Sequence, residues 1–318
     1  MTEQIRSAVA GTMRARARAA AFTTAAVLGW AALAGCSSAA AEAGRGPMLV
    51  SSAELATELS QGTLVLHVHE RENTYEAGHI PGARFLRYSS VVRDEPGDIG
   101  AELPPAADLQ RAFEEAGVRT DRRVVIYSTS TVYAARVFFT LDATGHPDVA
   151  ILDGGLAAWK ADGHPVDAGP DPTHGGGAFT PVVNEQRMAT ADWIRERLGS
   201  GRVGLVDVRP DAEYMGGAGD RAMGSPGHLP GARQLTWNSL VGPDGRFLPR
   251  EQLEQKLQAA GAAAGRPVVS YCMVGMRASV VYFVARYLGY DARLYDGSIL
   301  DWGRRGYPVV KGMNPGQG

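Results

Sequence analysis

The chain predicts an α/β fold built twice, each half a parallel sheet with helices on both faces. Short β-branched runs alternate with longer amphipathic runs, the pattern of strands feeding helices. The alternation occurs twice in the same order, which marks an internal duplication. Between the copies lies "DAGPDPTHGGGAFTP", Asp167 to Pro181, whose Gly and Pro content reads as a linker.

In chain order, the first copy carries "LVLHVHERENTYEAGHIPGARFL", "RRVVIYSTSTVYAARVFF" and "VAILDGGLAAWKADGHPV". The second carries "VGLVDVRPDAEYMGG", "GHLPGARQL", "RPVVSYCMVGMRASVVYF" and "ARLYDGSILDWGRRGYPVV". In that copy Val203 to Val208 and Val268 to Tyr271 read as buried strands. Ala278, Val281, Tyr282, Ala285 and Leu288 recur at helical spacing until Gly289 stops the helix. The boundaries expected are 48–167 for the first domain, 168–186 for the linker and 187–312 for the second domain.

Composition bounds the function. With 318 residues, 45% hydrophobic, 21% charged and a net charge of −2, the chain has the size of two ordinary domains and no basic stripe for nucleic acid. The clustered Arg14, Arg16 and Arg18 instead precede the apolar "AAAFTTAAVLGWAALAGC", too short and Ala-rich for a membrane span, and read as an export signal. Leu33-Ala34-Gly35-Cys36 resembles the lipobox of bacterial lipoproteins, which implies a signal over 1–35, lipid on Cys36 and a flexible tether over 36–47. A plain cleavable signal is the alternative. Removing 1–35 takes away four Arg and one Glu and moves the net charge to −5. The expected location is the cell envelope, on its periplasmic or extracellular face.

The chain has two cysteines, so lipid on Cys36 leaves Cys272 as a lone thiol in an oxidising compartment. It stands at the carboxyl end of an expected strand, in the loop leading into a helix, where parallel sheets hold their chemistry. A loop folding over a helix start aims main-chain N–H groups and the positive end of the helix dipole at its centre. That environment stabilises a thiolate and makes it a nucleophile. Gly275 allows a close backbone turn, and Arg277 adds a planar cation suited to an oxyanion. A buried inert cysteine and a surface arginine are the plainer readings of the same residues.

These residues resemble the rhodanese homology domain: "GHLPGA", a downstream strand, the cysteine loop, a helix, and a "DG" plus Trp segment. Two in tandem are similar to a thiosulfate sulfurtransferase, over roughly Leu49 to Val310. The resemblance implies a catalytic second copy and a silent first one, with Ser128 opposite Cys272 and Tyr133 opposite Arg277. It implies attack by Cys272 on the outer sulfur of thiosulfate, and a persulfide held by the loop Met273, Val274, Gly275 and Met276. The sulfur then passes to cyanide or an external thiol, and neither cofactor nor metal is required.

Cysteine-dependent phosphatases have a loop one residue longer than the four residues between Cys272 and Arg277. The loop of 3-mercaptopyruvate sulfurtransferases lacks the arginine, and that activity is the nearest alternative. Those enzymes and the animal thiosulfate enzymes tend to carry Arg where this chain has Glu213 before Tyr214, a departure that favours the bacterial thiosulfate type but removes one anion-binding residue and sets there a carboxylate that could repel a dianion. Asp207 and Arg209 alternate on one strand and project to the same side, and the resemblance implies an ion pair that orders the active-site loop, against the plainer reading of a solvent-screened pair. Their first-copy counterparts, His67 and His69, with His79 nearby, lack a full zinc ligand set. His79 and His228 read as structural turn residues, and Trp159, Trp237 and Trp302 as core or interface anchors. Outside enzymes, the alternative is a lipid-tethered scaffold with a vestigial loop.

Overall fold

The computed structural model describes residues 46–94, 97, 99–172, 175–217 and 226–316. The expected signal segment and Cys36 lie outside them, as does all of the tether but its last two residues. No helix among the described residues is long and apolar enough to cross a membrane.

The first half runs β1 (Leu49–Val50), α1 (Ser52–Leu59), β2 (Leu64–His69), α2 (Asn73–Glu76) and β3 (Arg84–Arg87), then α3 (Ala106–Glu115), β4 (Val124–Tyr127), α4 (Thr131–Ala143), β5 (Val149–Leu152) and α5 (Gly155–Ala161). The second runs α6 (Ala191–Arg195), β6 (Gly204–Asp207), α7 (Asp211–Tyr214), β7 (Arg233–Gln234) and α8 (Arg250–Ala259), then β8 (Val268–Tyr271), α9 (Ala278–Tyr287), β9 (Ala292–Leu294) and α10 (Ser298–Arg304). Both sheets are parallel, ordered β1-β5-β4-β2-β3 and β7-β6-β8-β9. Read from its other edge the second repeats the first, and a parallel bridge between Met188 and Leu294 stands where β1 would be.

The duplication extends to individual hydrogen bonds. Tyr75 stacks on His79 and Tyr214 on His228, both with ring centroids 3.7 Å apart. Each histidine places Nδ1 2.9 Å from the carbonyl of its stacking tyrosine. The Trp159 and Trp302 indoles donate to Pro165 O and Pro308 O at 2.7 and 2.8 Å. These histidines hold turns, and both tryptophans are sealed in the outer cores, whereas Trp237 is only partly buried.

Side chains alternate across each strand, so each sheet feeds two cores. Leu64, Leu66, Val68, Val206, Val208 and Val268 enter one core common to both halves. Val65, Val125 and Tyr127 pack on the far face of the first sheet, and Leu205, Val269 and Tyr271 on that of the second. The shared core is closed by α4 against α9, where Phe138 meets Phe283 and Phe139 meets Tyr282 edge to face, at 4.9 and 5.0 Å. Beside them Asp142 accepts from Tyr282 Oη at 2.6 Å and from Arg286 Nε at 3.0 Å.

The connecting segment is a strap packed on the first half. Asp167 pairs with His79, Ala178 pairs with Arg119, and Phe179 is buried against Phe113 and His146.

A common inner core predicts that the halves unfold together. Circular dichroism and tryptophan fluorescence should report one coincident urea transition, and Phe283→Ala should lower its free energy by about 3–5 kcal/mol. Two separated transitions would contradict the shared core.

Candidate active site

Strand parity decides where Cys272 faces. In β8, Val268 enters the inner core and Val269 and Tyr271 the outer one, so Cys272, next in the alternation, turns inward toward the first half. The residue is 1% exposed. The open, reachable thiol expected from sequence is therefore corrected: strand alternation carries it into the shared core and the cysteine is closed over.

What surrounds it is not simply apolar. Among the described residues, the main-chain N–H groups of Met273, Val274, Gly275, Met276 and Arg277 donate to no acceptor in the fold. The carbonyls of the loop are engaged elsewhere: Cys272 O and Met273 O accept from Ile299 and Leu300 at 3.2 and 3.3 Å, and Met276 O and Arg277 O accept from Ser279 and Val280. Unpaired amides at the start of a ten-residue helix are the groups such a loop could offer an anion. Gly275 makes the turn possible: its φ is +84°, and a Cβ there would lie 2.6 Å from both Asp296 O and Asp296 Oδ1. In the first half, α4 begins at Thr131, the position matching Gly275, so the equivalent loop is wound into helix.

Ser298 braces the cysteine from behind. Its Oγ accepts from Cys272 N at 3.1 Å and donates to Tyr295 O at 2.8 Å. It does so at φ +53°, where the first half has Gly155 at +54°. An L-residue held in the left-handed region is strained, and here the strained side chain holds the Cys272 amide.

Arg277 is not a free cation, as the sequence reading had it. Its two terminal nitrogens donate to the two carboxylate oxygens of Glu213, each at 2.8 Å. Burial alone would raise the Glu213 carboxyl, but the guanidinium holds it below its ordinary value. Burial would lower Arg277, yet Glu213 and the Cys272 sulfur raise it. The pair thus closes as pH rises through the depressed Glu213 value and stays closed across neutral pH; its stabilisation is lost only as pH falls through that value.

Asp207 and Arg209 form a fully buried ion pair, with Arg209 Nη2 2.7 Å from Asp207 Oδ2 and 2.6 Å from Gly227 O. Arg209 lies just past the end of β6, so the pairing is local rather than along the strand. The pair fixes the "GHLPGA" turn, and the Tyr271 hydroxyl receives Leu229 N from that turn at 3.0 Å. Through that turn it reaches the residue before Cys272. In the first half, buried His67 replaces Asp207 with Nδ1 3.1 Å from Tyr127 Oη, and desolvation lowers its pKa to about 4. No cluster of three His, Cys, Asp or Glu able to hold a metal occurs among the described residues.

Sequence reasoning missed the contribution of the first half. Arg136, fully buried on α4, binds Asp296 bidentately at 2.5 and 3.2 Å. Asp296 also accepts from Leu103 N at 2.8 Å, and its counterpart Asp153 accepts from Phe247 N at the same distance. The repeated Asp-Gly was visible in the sequence; its reach into the opposite half was not.

Two parallel-sheet halves in tandem, the second carrying Cys272 at a loop of unpaired amides ahead of a helix, define a duplicated α/β protein. The rhodanese-like domain description matches residues 51–162 and 190–305, and the chain belongs to the rhodanese family. A thiosulfate sulfurtransferase of Pseudomonas aeruginosa is 31% identical over 260 residues, covering 81% of this chain and 94% of that protein. A probable 3-mercaptopyruvate sulfurtransferase of the same organism is 35% identical over 239 residues, covering 72% and 82%. The solved structure of SseA from Escherichia coli superposes with a TM-score of 0.69 over 80% of this chain and 99% of that one, at 24% identity.

Ser298→Gly isolates the brace. Losing the acceptor of a buried N–H costs about 1–3 kcal/mol, and relieving the left-handed strain returns about 1–2 kcal/mol, so stability should shift by about 1 kcal/mol or less. Sulfur-transfer rate should still fall several-fold. An unchanged rate would remove Ser298 from the site.

Proposed function

We propose that Cys272 carries sulfane sulfur from thiosulfate to an external acceptor. The chain is a sulfurtransferase of the rhodanese family. The observation that carries the reading is the set of five unused loop amides closing on a cysteine at the junction of β8 and α9.

The Cys272 thiolate attacks the outer sulfur of thiosulfate. The sulfur–sulfur bond of the donor breaks, sulfite leaves with its electron pair, and a persulfide remains. Cyanide then attacks the terminal sulfur, giving thiocyanate and restoring the thiolate; a thiol acceptor leaves instead as its own persulfide. Because Cys272 is buried, the loop or the facing half must yield before a donor can reach it. Met273, Val274, Gly275, Met276 and Arg277 supply the amides that receive the negative sulfur.

Glu213 makes 3-mercaptopyruvate the competing donor. Its carboxylate fills the guanidinium fork that a thiosulfate dianion would take, which favours a donor of lower charge. The 35% identical relative supports the same alternative.

Anchoring to the cell envelope through lipid on Cys36 is part of the proposal and rests on Leu33-Ala34-Gly35-Cys36. Cys36→Ser should release the protein from the membrane fraction.

Turnover with thiosulfate and cyanide, read as thiocyanate, should vanish in Cys272→Ser. Activity surviving that change would move the chemistry elsewhere, and an inactive parent would favour a scaffold. Glu213→Gln should lower KM for thiosulfate about tenfold, equivalent to about 1.4 kcal/mol of removed repulsion, and change KM for 3-mercaptopyruvate far less. A raised thiosulfate KM would mean that Glu213 presents Arg277 to the donor rather than blocking it.

A further inference from the structure

We propose that the second half carries an open docking groove for an extended acidic segment of a partner polypeptide, at the amino ends of β6 and β8, where the first half seats its own strap. Cys272 follows the opposite end of β8, so the inference stands apart from the sulfur chemistry.

The strap shows what such a seat binds. Gly175 N donates to Glu115 O, and Arg84 Nη1 donates to Gly175 O, both at 2.8 Å. Further along, Ala178 N donates to Val118 O at 2.8 Å and Ala178 O accepts from Thr120 N at 3.2 Å, forming the parallel bridge at Arg119. Phe179 then turns inward against Phe113 and His146. Main-chain pairing carries the contact and one aromatic anchors it.

The same seat is present and open in the second half. The strand registers that match Leu64 to Val124 and Gly204 to Val268 set the correspondence. Arg233 stands for Arg84, Ala259 O for Glu115 O, Ala262 O for Val118 O, and Ala264 N for Thr120 N. Among the described residues Ala262 O and Ala264 N have no hydrogen-bond partner, and Arg233 donates only to Ala259 O, at 3.3 Å. Two adjoining cavities of about 340 and 780 Å³ open there, both bounded by Gln258, Ala262 and Arg266. Tyr290, which replaces His146, lines the larger one. Beyond it the groove is closed. Arg250 donates to Tyr287 O and Leu288 O at 3.1 and 3.5 Å, whereas the matching Ala143 O and Thr144 O accept from Asn184 and Val182 of the strap. The open stretch therefore corresponds to Gly175 through Phe179.

Charge selects the occupant. Arg197, Arg233 and Arg266 line the smaller cavity, and no Asp or Glu is among its described lining residues. Arg233 and Arg266 donate only to main-chain carbonyls, and the carboxylate beside Arg197, that of Glu196, is largely exposed. Carboxylates on an incoming segment would complement these guanidinium groups. A free oxyanion could use them too, but not Ala262 O and Ala264 N, which together require a peptide unit offering N–H and C=O. Close approach also demands small residues, since a Cβ on Gly177 of the strap would collide with Glu114 Cα. The strap runs from the Arg84 end toward His146, so the occupant carries its carboxylates first, then small residues, then an aromatic to meet Tyr290.

Fluorescence polarisation of the labelled peptide Asp-Asp-Gly-Gly-Gly-Ala-Phe-Thr, which sets two Asp before the strap sequence 175–180, tests the groove when titrated with the full chain. Saturable binding is expected, weakened several-fold when both Asp are replaced by Asn and about tenfold by Arg233→Ala. Ala264→Pro is the sharper variant, because it removes an N–H with no partner in the fold at a turn position that proline tolerates. Its melting temperature and sulfur-transfer rate should match the parent, while peptide binding falls about tenfold. If Ala264→Pro melts early, Arg233→Ala and the Asn peptide decide alone. Absence of binding by the parent, or binding that the variants and the Asn peptide retain in full, overturns the inference. Self-association in sedimentation velocity that Arg233→Ala abolishes would make a second copy the occupant and overturn it as well.

Discussion

A strand delivers alternate side chains to opposite faces, and that constraint places the chemistry of this protein. Because Val268 is an inner-core residue, Cys272 is one too, and the thiol ends β8 pointing at the other half. Everything else around it answers the problem this creates, which is how a negative sulfur is tolerated in a core shared by two domains. Charge pairing alone does not answer it, since Arg277 and Arg136 are each committed to a carboxylate. The unpaired amides of the Met273–Arg277 loop are the donors at hand. They are fixed before the anion forms, so they need no reorganisation when it does.

The same logic accounts for the strain at Ser298 and the glycine at 275. In the first half Gly155 takes the left-handed turn without strain and has no side chain to reach back to an amide. In the second half the turn carries Ser298, whose hydroxyl anchors the Cys272 amide. Gly275 brings the loop against Asp296, which Arg136 holds from the first half. The active loop is thus pinned by its own α10 on one side and by the neighbouring half on the other.

Much of this was legible in the sequence. The duplication, the strand Val268–Tyr271, the helix stopped by Gly289 and the loop from Cys272 to Arg277 all follow from local pattern and glycine placement. The Glu213–Arg277 pairing and the Arg136–Asp296 clamp did not, because they join residues far apart in sequence that only tertiary packing brings together. Glu213 read as a repulsive carboxylate; the fold makes it the partner of Arg277 as well. The Gly- and Pro-rich connector read as a simple linker, yet Phe179 finds a pocket against Phe113 that local composition does not reveal. Burial of the thiol is itself implicit in the strand alternation.

The central claim is that the Cys272 sulfur, although buried, is the atom that accepts sulfane sulfur. Mass spectrometry of the peptide bearing Cys272, after the full chain is incubated with thiosulfate and then quenched, tests it most directly. The account predicts a gain of one sulfur atom on that peptide, reversed by cyanide. An unmodified Cys272 peptide in a protein that is turning over thiosulfate would contradict it.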